Sequence, residues 1–152
     1  MAFQLVIPAF SQGAAILRQH TCDGADVSPA LEWSGEPAGA KSFTLIVDDP
    51  DAPVGTWNHW LLYDIPPSVH SLPQGVKPGQ AGLSGVNDFG KLGYGGPCPP
   101  KGHGSHRYFF RLYAVDVPSL GLKAGANRSQ LDRALAGHIL ADAQHMGRYE
   151  RK

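Results

Sequence analysis

The stretch Ser42–Pro53, SFTLIVDDPDAP, decides how the fold is read. From Ser42 to Asp49 it is rich in β-branched and aliphatic residues. Asp49-Pro50-Asp51-Ala52-Pro53 then ends it with two prolines that fix φ and remove backbone donors, making a rigid corner. Apolar residues fall on both parities of FTLIV, as in a strand covered on both faces. Trp57–Ile65 (WNHWLLYDI) and His106–Asp116 (HRYFFRLYAVD) repeat the texture and are bounded by Gly, Pro or Asp. Together they predict a mainly β fold around a central sheet packed on each side. Phe3–Ile7 and a stretch near Leu31–Trp33 are further strand candidates.

Outward from these strands the pattern changes. Residues 66–104 are dense in Gly and Pro with no sustained period, which predicts mostly loop, and so long an irregular span is often functional. Near the end, Asn127 caps a predicted helix and Gln130 completes a capping box. Leu131, Leu135, Ile139, Ala143 and Met146 follow at near-helical spacing, Gly147 reads as the stop, and RYERK as a short edge strand. There is no internal repeat, so the expectation is one domain over residues 1–152.

Bulk composition excludes several classes. Thirteen basic and thirteen acidic residues cancel, so no broad field draws the chain to nucleic acid or to an anionic membrane. Charged residues make up 17%, below the roughly 25% usual for soluble domains, while nineteen glycines and thirteen prolines punctuate the chain. No stretch approaches the ~20 apolar residues of a spanning helix, and the start has no basic n-region. A cytoplasmic location is the default expectation. Cys22 and Cys98 are too few for a disulfide framework and form no CxxC; on this evidence they either pair or stay free.

Three places carry chemistry. Asp49 shares parity with Phe43, Leu45 and Val47, so its carboxylate is aimed toward an apolar face, while Asp51 is placed to close an Asx-type turn. The DPDAP run alone reads equally well as a plain turn. In strand alternation His59 shares a face with Trp57, Leu61 and Tyr63, where a lone histidine is more often a core residue. Gly95–Gly104 (GGPCPPKGHG) precedes Ser105-His106-Arg107-Tyr108. Its glycines let backbone approach a ligand and its prolines hold the loop open. His106 and Tyr108 share parity; Arg107 points away and is expected to pair Asp51 or Asp48.

If these strand ends meet, they form a concave, mostly apolar pocket with a few convergent polar groups. A carboxylate beside two imidazoles raises histidine pKa values, and protonated histidines suit a phosphate-like anion. The runner-up is a metal-assisted hydrolase using Asp49, His59 and His106, since these are the donor types of a Zn or Mn site. Against it, the histidines lack an H-x-x-x-H or H-x-H pairing. Ser105 and Cys98 are further candidate nucleophiles, and a structural protein with a vestigial pocket is the third class. His20, His70 and His103 read as exposed loop residues, with His103 close enough to influence the pocket; His138 and His145 read as helix residues.

DPDAP, the tryptophan-flanked histidine and PPKG…HRY, together with Asp23–Trp33 (DGADVSPALEW), resemble the phosphatidylethanolamine-binding protein family. The match is closest to its bacterial Raf-kinase-inhibitor-like branch, in the same order along nearly the whole chain. The resemblance implies a large central antiparallel sheet, a smaller sheet on one face and helical material on the other. It places Asp49, His59, His106 and Tyr108 in the family's anion pocket, with Pro53 and Pro100 on its rim. Cys98 stands where the animal pattern has glycine before the Pro-Pro pair. A Cys22–Cys98 disulfide is a hypothesis that follows from that placement. The expected ligand-binding set is therefore Asp49, Asp51, Pro53, His59, Cys98, Pro100, His106 and Tyr108, without metal or cofactor. The expected activity is non-enzymatic binding of a phosphate or phosphorylated headgroup, with a kinase or protease as the partner to be modulated; oligomeric state, a homodimer included, stays open.

Overall fold

The computed structural model describes residues 2–152. Its larger sheet contains β3 (Ser42–Asp49), β4 (Trp57–Ile65), β6 (Leu83–Ser84), β7 (His106–Val115) and β8 (Ile139–Tyr149), ordered β6-β4-β3-β7-β8. All of its pairings are antiparallel. A smaller antiparallel sheet is ordered β1-β2-β5, from β1 (Gln4–Val6), β2 (Leu31–Ser34) and β5 (Ser71–Leu72). One helix, α1 (Arg128–Leu135), precedes β8.

Every residue of β3 is buried, as its two-parity pattern predicts. Phe43, Leu45 and Val47 join the small sheet's Leu5, Leu31, Trp33 and Leu72 in one core. Ile46 joins Leu61, Tyr63, Leu131 and Leu135 beneath α1 in the second. The strand thus carries two layers at once, and its terminal pair, Asp48 and Asp49, is divided between them.

The helix begins as expected. Asn127 Oδ1 accepts from the Gln130 amide at 2.8 Å, and the Asn127 amide donates to Gln130 Oε1 at 2.9 Å. It does not continue as expected. After Leu135 the chain turns through Gly137 at φ 82° and runs back as the eleven-residue strand β8. Ala143, His145 and Gly147 are buried at a period of two, whereas Ile139 is exposed, so the apparent helical spacing past Leu135 was coincidental. Pairing with β7 along its length outweighed a weak local pattern. Gly147 is not a stop. A Cβ there would lie 2.5 Å from an Ile16 carbon and 2.6 Å from a Phe10 ring carbon, so glycine admits the N-terminal segment against β8. Arg148 and Tyr149 extend this strand rather than forming a separate one.

Three histidine readings also change. His20 is fully buried, with Nδ1 2.9 Å from the Val27 carbonyl. His145 lies in β8 with Nε2 2.8 Å from the Phe10 carbonyl, and His138 sits in the turn, 2.7 Å from Asp116.

Candidate functional site

The ends of β3, β4 and β7 meet at a cavity of about 220 Å³, whose lining includes Asp49, Pro53, His59, Cys98, Pro100, His106 and Tyr108. Seven of the eight expected residues converge there. Asp51 does not line it. Both of its oxygens are taken by Arg107, whose backbone N–H and Nε reach Oδ2 at 2.9 Å and whose Nη2 reaches Oδ1 at 2.8 Å. The guanidinium holds the Asp51 carboxyl down at about 2. Arg107 thereby anchors the DPDAP corner to the start of β7.

Asp49 is buried and doubly engaged. Oδ1 accepts from the Asp51 amide at 2.7 Å, closing the Asx turn, and Oδ2 lies 2.6 Å from His106 Nδ1. A carboxylate accepts, so His106 Nδ1 carries hydrogen and the imidazole is held in one orientation. On the far side, His106 Nε2 is 2.6 Å from His103 Nδ1. The chain Asp49–His106–His103 therefore runs from the core to the surface.

His59 arrives through a break in the β3–β4 register. Val47 pairs with Trp60, but Asp48 pairs with Asn58 and Asp49 with Trp57, leaving His59 as the extra residue of a bulge. Strict alternation would send His59 with Leu61 and Tyr63 toward α1; the bulge turns it to the Asp49 side. Its Nδ1 is 2.6 Å from the Gly95 carbonyl, so Nδ1 donates and neutral His59 keeps a lone pair at Nε2. Burial pushes this imidazole below its ordinary value, outweighing the Gly95 carbonyl and the Asp49 charge that favour protonation. The expectation that the carboxylate would raise both histidines thus fails at His59, because desolvation is the larger effect.

Tyr108 supplies the remaining polar group. It stacks near His106 and meets the His59 ring edge-on, with centroids 6.4 and 5.2 Å apart. Its hydroxyl is buried and has no well-formed hydrogen bond, its one interacting acceptor being the Asp49 carboxylate that His106 already holds. Burial, then the Asp49 charge, push its ionisation far above the usual phenol range, so it is a permanent O–H.

The walls are apolar. Trp57, Phe89, Val54, Ala52 and Pro99 line the cavity and were absent from the expected set. Trp57 was legible in the tryptophan-flanked histidine motif. Phe89 stacks edge-on against both Trp57 and His59, yet lies in the Gly/Pro-rich span where no periodicity marks it. At the rim, Cys98 is joined to Cys22 by a disulfide. The same two loops are tied by the Cys22 amide to the Pro97 carbonyl (3.1 Å) and the Gly96 amide to Asp26 Oδ1 (2.8 Å). A Cβ on Gly96 would sit 2.2 Å from the His20 carbonyl oxygen, so the docking requires glycine.

A family model described as phosphatidylethanolamine-binding protein matches residues 6–150. A UPF0098 protein of Aquifex aeolicus is 50% identical, covering 94% of this chain and 85% of its own. A UPF0098 protein of Pyrococcus horikoshii is 44% identical, covering 97% of this chain and 76% of its own. Two solved structures share the fold. A phosphatidylethanolamine-binding protein homolog from Chlamydia trachomatis superposes with a TM-score of 0.91 at 42% identity, covering 99% of each chain. YbcL of E. coli, titled a new member of the mammalian family, superposes with a TM-score of 0.92 at 34% identity over 100% of each. The chain belongs to the phosphatidylethanolamine-binding protein family.

Proposed function

We propose that the chain binds a small phosphate-bearing ligand in the Asp49–His59–His106–Tyr108 cavity and does not turn it over. The observation that carries this is the Tyr108 hydroxyl, a buried donor at the cavity wall without a well-formed hydrogen bond. Such groups are rare because each costs about 1–3 kcal/mol when left unmade. A phosphate oxygen satisfies it. Neutral His59 offers the complementary acceptor, which suits a protonated phosphate oxygen, and His106, held at Nδ1 by Asp49, presents Nε2 as a further polar group. Pro53, Cys98 and Pro100 shape the mouth, while Asp51 acts only through Arg107.

Among the described residues no activated nucleophile adjoins these groups. Cys98 is in the disulfide, and both His106 nitrogens are occupied by Asp49 and His103 rather than by Ser105. The metal-assisted alternative fits the donors less well. Among the described residues no cluster of three or more His, Cys, Asp or Glu is arranged to hold a metal ion. Asp49 and one nitrogen of each pocket histidine already serve other partners.

Modulation of a kinase or protease would use the same mouth, where Val54 is strongly exposed. Among the described residues no helix is long and apolar enough to cross a membrane. An oxidised Cys22–Cys98 pair fits an oxidising compartment better than the expected cytoplasm, hyperthermophile cytoplasm excepted.

Calorimetric titration with phosphate and phosphoethanolamine tests the reading. Both should bind the wild-type chain, and Asp49→Asn should weaken them by about tenfold or more, the scale of a lost hydrogen bond to a charged group. No binding to the wild type at millimolar ligand would overturn it.

A further inference from the structure

His103 is the residue that this reading leaves unused. It is exposed, in a turn closed by its own amide donating to the Pro100 carbonyl at 3.1 Å, between Gly102 and Gly104 at φ 76° and 94°. It does not line the cavity, yet its Nδ1 lies 2.6 Å from His106 Nε2, with ring centroids 4.8 Å apart at 68°.

Asp49 fixes what that contact means. Because Nδ1 of His106 is committed to the carboxylate, Nε2 is the one nitrogen with which His106 can reach a ligand. In the structure that nitrogen already belongs to His103. Whichever of the two carries the hydrogen, one Nε2 does not serve a histidine and a phosphate oxygen at full strength together. The alternative role, a second donor to the ligand, fits less well, since His103 spends its inward nitrogen on His106 and turns the other side of its ring to solvent.

The geometry points to His103 as a built-in competitor of the ligand: it caps His106 in the empty protein, and the anion binds by displacing it. The inference rests on the binding role proposed above and adds a specificity-determining residue to it. Only ligands that bond His106 more strongly than the His103 ring does enter the site. A phosphate anion meets that condition wherever the hydrogen sits: its P–OH donates to a bare Nε2, or its charged oxygen accepts from Nε2–H, and bonds with a charged partner are roughly twice as strong as neutral ones. A neutral carbonyl or hydroxyl ligand does not.

The test compares inorganic phosphate binding to wild type, His103→Ala and His103→Gln by calorimetry, without reductant. His103 is a surface side chain, so both variants should keep the wild-type thermal midpoint. Removing the cap should tighten phosphate by roughly threefold to tenfold, the scale of one net neutral hydrogen bond. Glutamine, whose amide can still bond His106, should return most of the way to wild-type affinity. Phosphate should also move the wild-type His103 ring resonances toward those of an exposed, unpaired imidazole. Equal or weaker binding by His103→Ala, with wild type still binding, overturns the competitor and leaves the pocket's role standing. Failure of all three proteins to bind phosphate overturns both.

Discussion

Asp48 and Asp49 are consecutive and equally buried, yet they do opposite things. Asp48 points to the α1 side and meets two guanidiniums, with Arg111 Nε at 3.2 Å from Oδ1 and Arg128 Nη1 at 2.9 Å from Oδ2. Arg128 also donates to Asn58 and Asp132, so strand, bulge and helix are clamped together. The hollow beside this cluster, about 450 Å³, is the larger of the two. Its two arginines face two carboxylates, Asp48 and Asp132, so the charges there are already paired. Asp49 meets no guanidinium. Its partner is an imidazole, beside a tyrosine hydroxyl that makes no well-formed hydrogen bond. Burial and volume therefore do not separate the two sides; what separates them is that guanidiniums already pair the carboxylates on the Asp48 side, whereas no guanidinium meets Asp49.

The largest expected effect concerns the covalent tie, which lies only on the Asp49 side. Cys22 and Cys98 are separated by 76 residues. On the chain-entropy account, breaking their bond should cost about 4 kcal/mol in denaturant unfolding with and without reductant. Coincident unfolding curves, or two titratable thiols in the untreated protein, would show that the rim is not stapled.

Next comes the contrast between the two carboxylates. Asp48→Ala strands two arginines that remain only partly exposed, and should cost about 3 kcal/mol, the lower end for a broken buried pair. It should leave the His59 and His106 resonances near their wild-type positions. Asp49→Asn should cost less stability, about 1–2 kcal/mol, because an amide keeps part of the Asx turn and of the His106 contact. It should nevertheless remove most phosphate affinity. A larger stability loss at Asp49 than at Asp48 would erase the distinction drawn here.

The smaller effects are in pH. His59 is held neutral, below its ordinary value, so the unfolded chain takes up its proton first as pH falls. Its contribution is complete above about pH 6.5 and erodes below it; His59→Gln should flatten that part of the stability profile. Asp51 works at lower pH. With a folded value of about 2 against an ordinary 3.8, its ion pair stabilises fully above about pH 4 and is lost as pH falls through 2. Asp51→Asn should flatten that window and leave the higher one unchanged.

How much of this was legible in the sequence differs from residue to residue. β3 was readable because a strand buried on both faces leaves a long apolar run that DPDAP ends, and β7 because its aromatic and aliphatic residues continue through the half-buried face as well. Asp49, His106 and Tyr108 followed from parity, and Arg107 was correctly turned toward the acidic corner. His59 was placed in the pocket by the grouping of three motifs and by family resemblance, whereas alternation alone put it on the wrong face, because a bulge leaves no mark in period-two reasoning. Residues 136–149 misled for a related reason: alanine, glutamine and methionine suit a helix, but the unpaired edge of β7 imposed a strand. Phe89 and the burial of His20 depend on loops docking over long separations, which no local pattern encodes. The His103–His106 contact belongs to the same kind, although the short spacing between them hinted at it.

The central claim is that anions go to the Asp49 side and not to the arginines beside Asp48. Imidazole and guanidinium ¹H–¹⁵N signals, followed in one phosphate titration of the wild-type protein, test it most directly. The account predicts saturable shifts at His59 and His106 while the Arg111 and Arg128 Nε–H signals stay in place; shifts confined to the two arginines would contradict it.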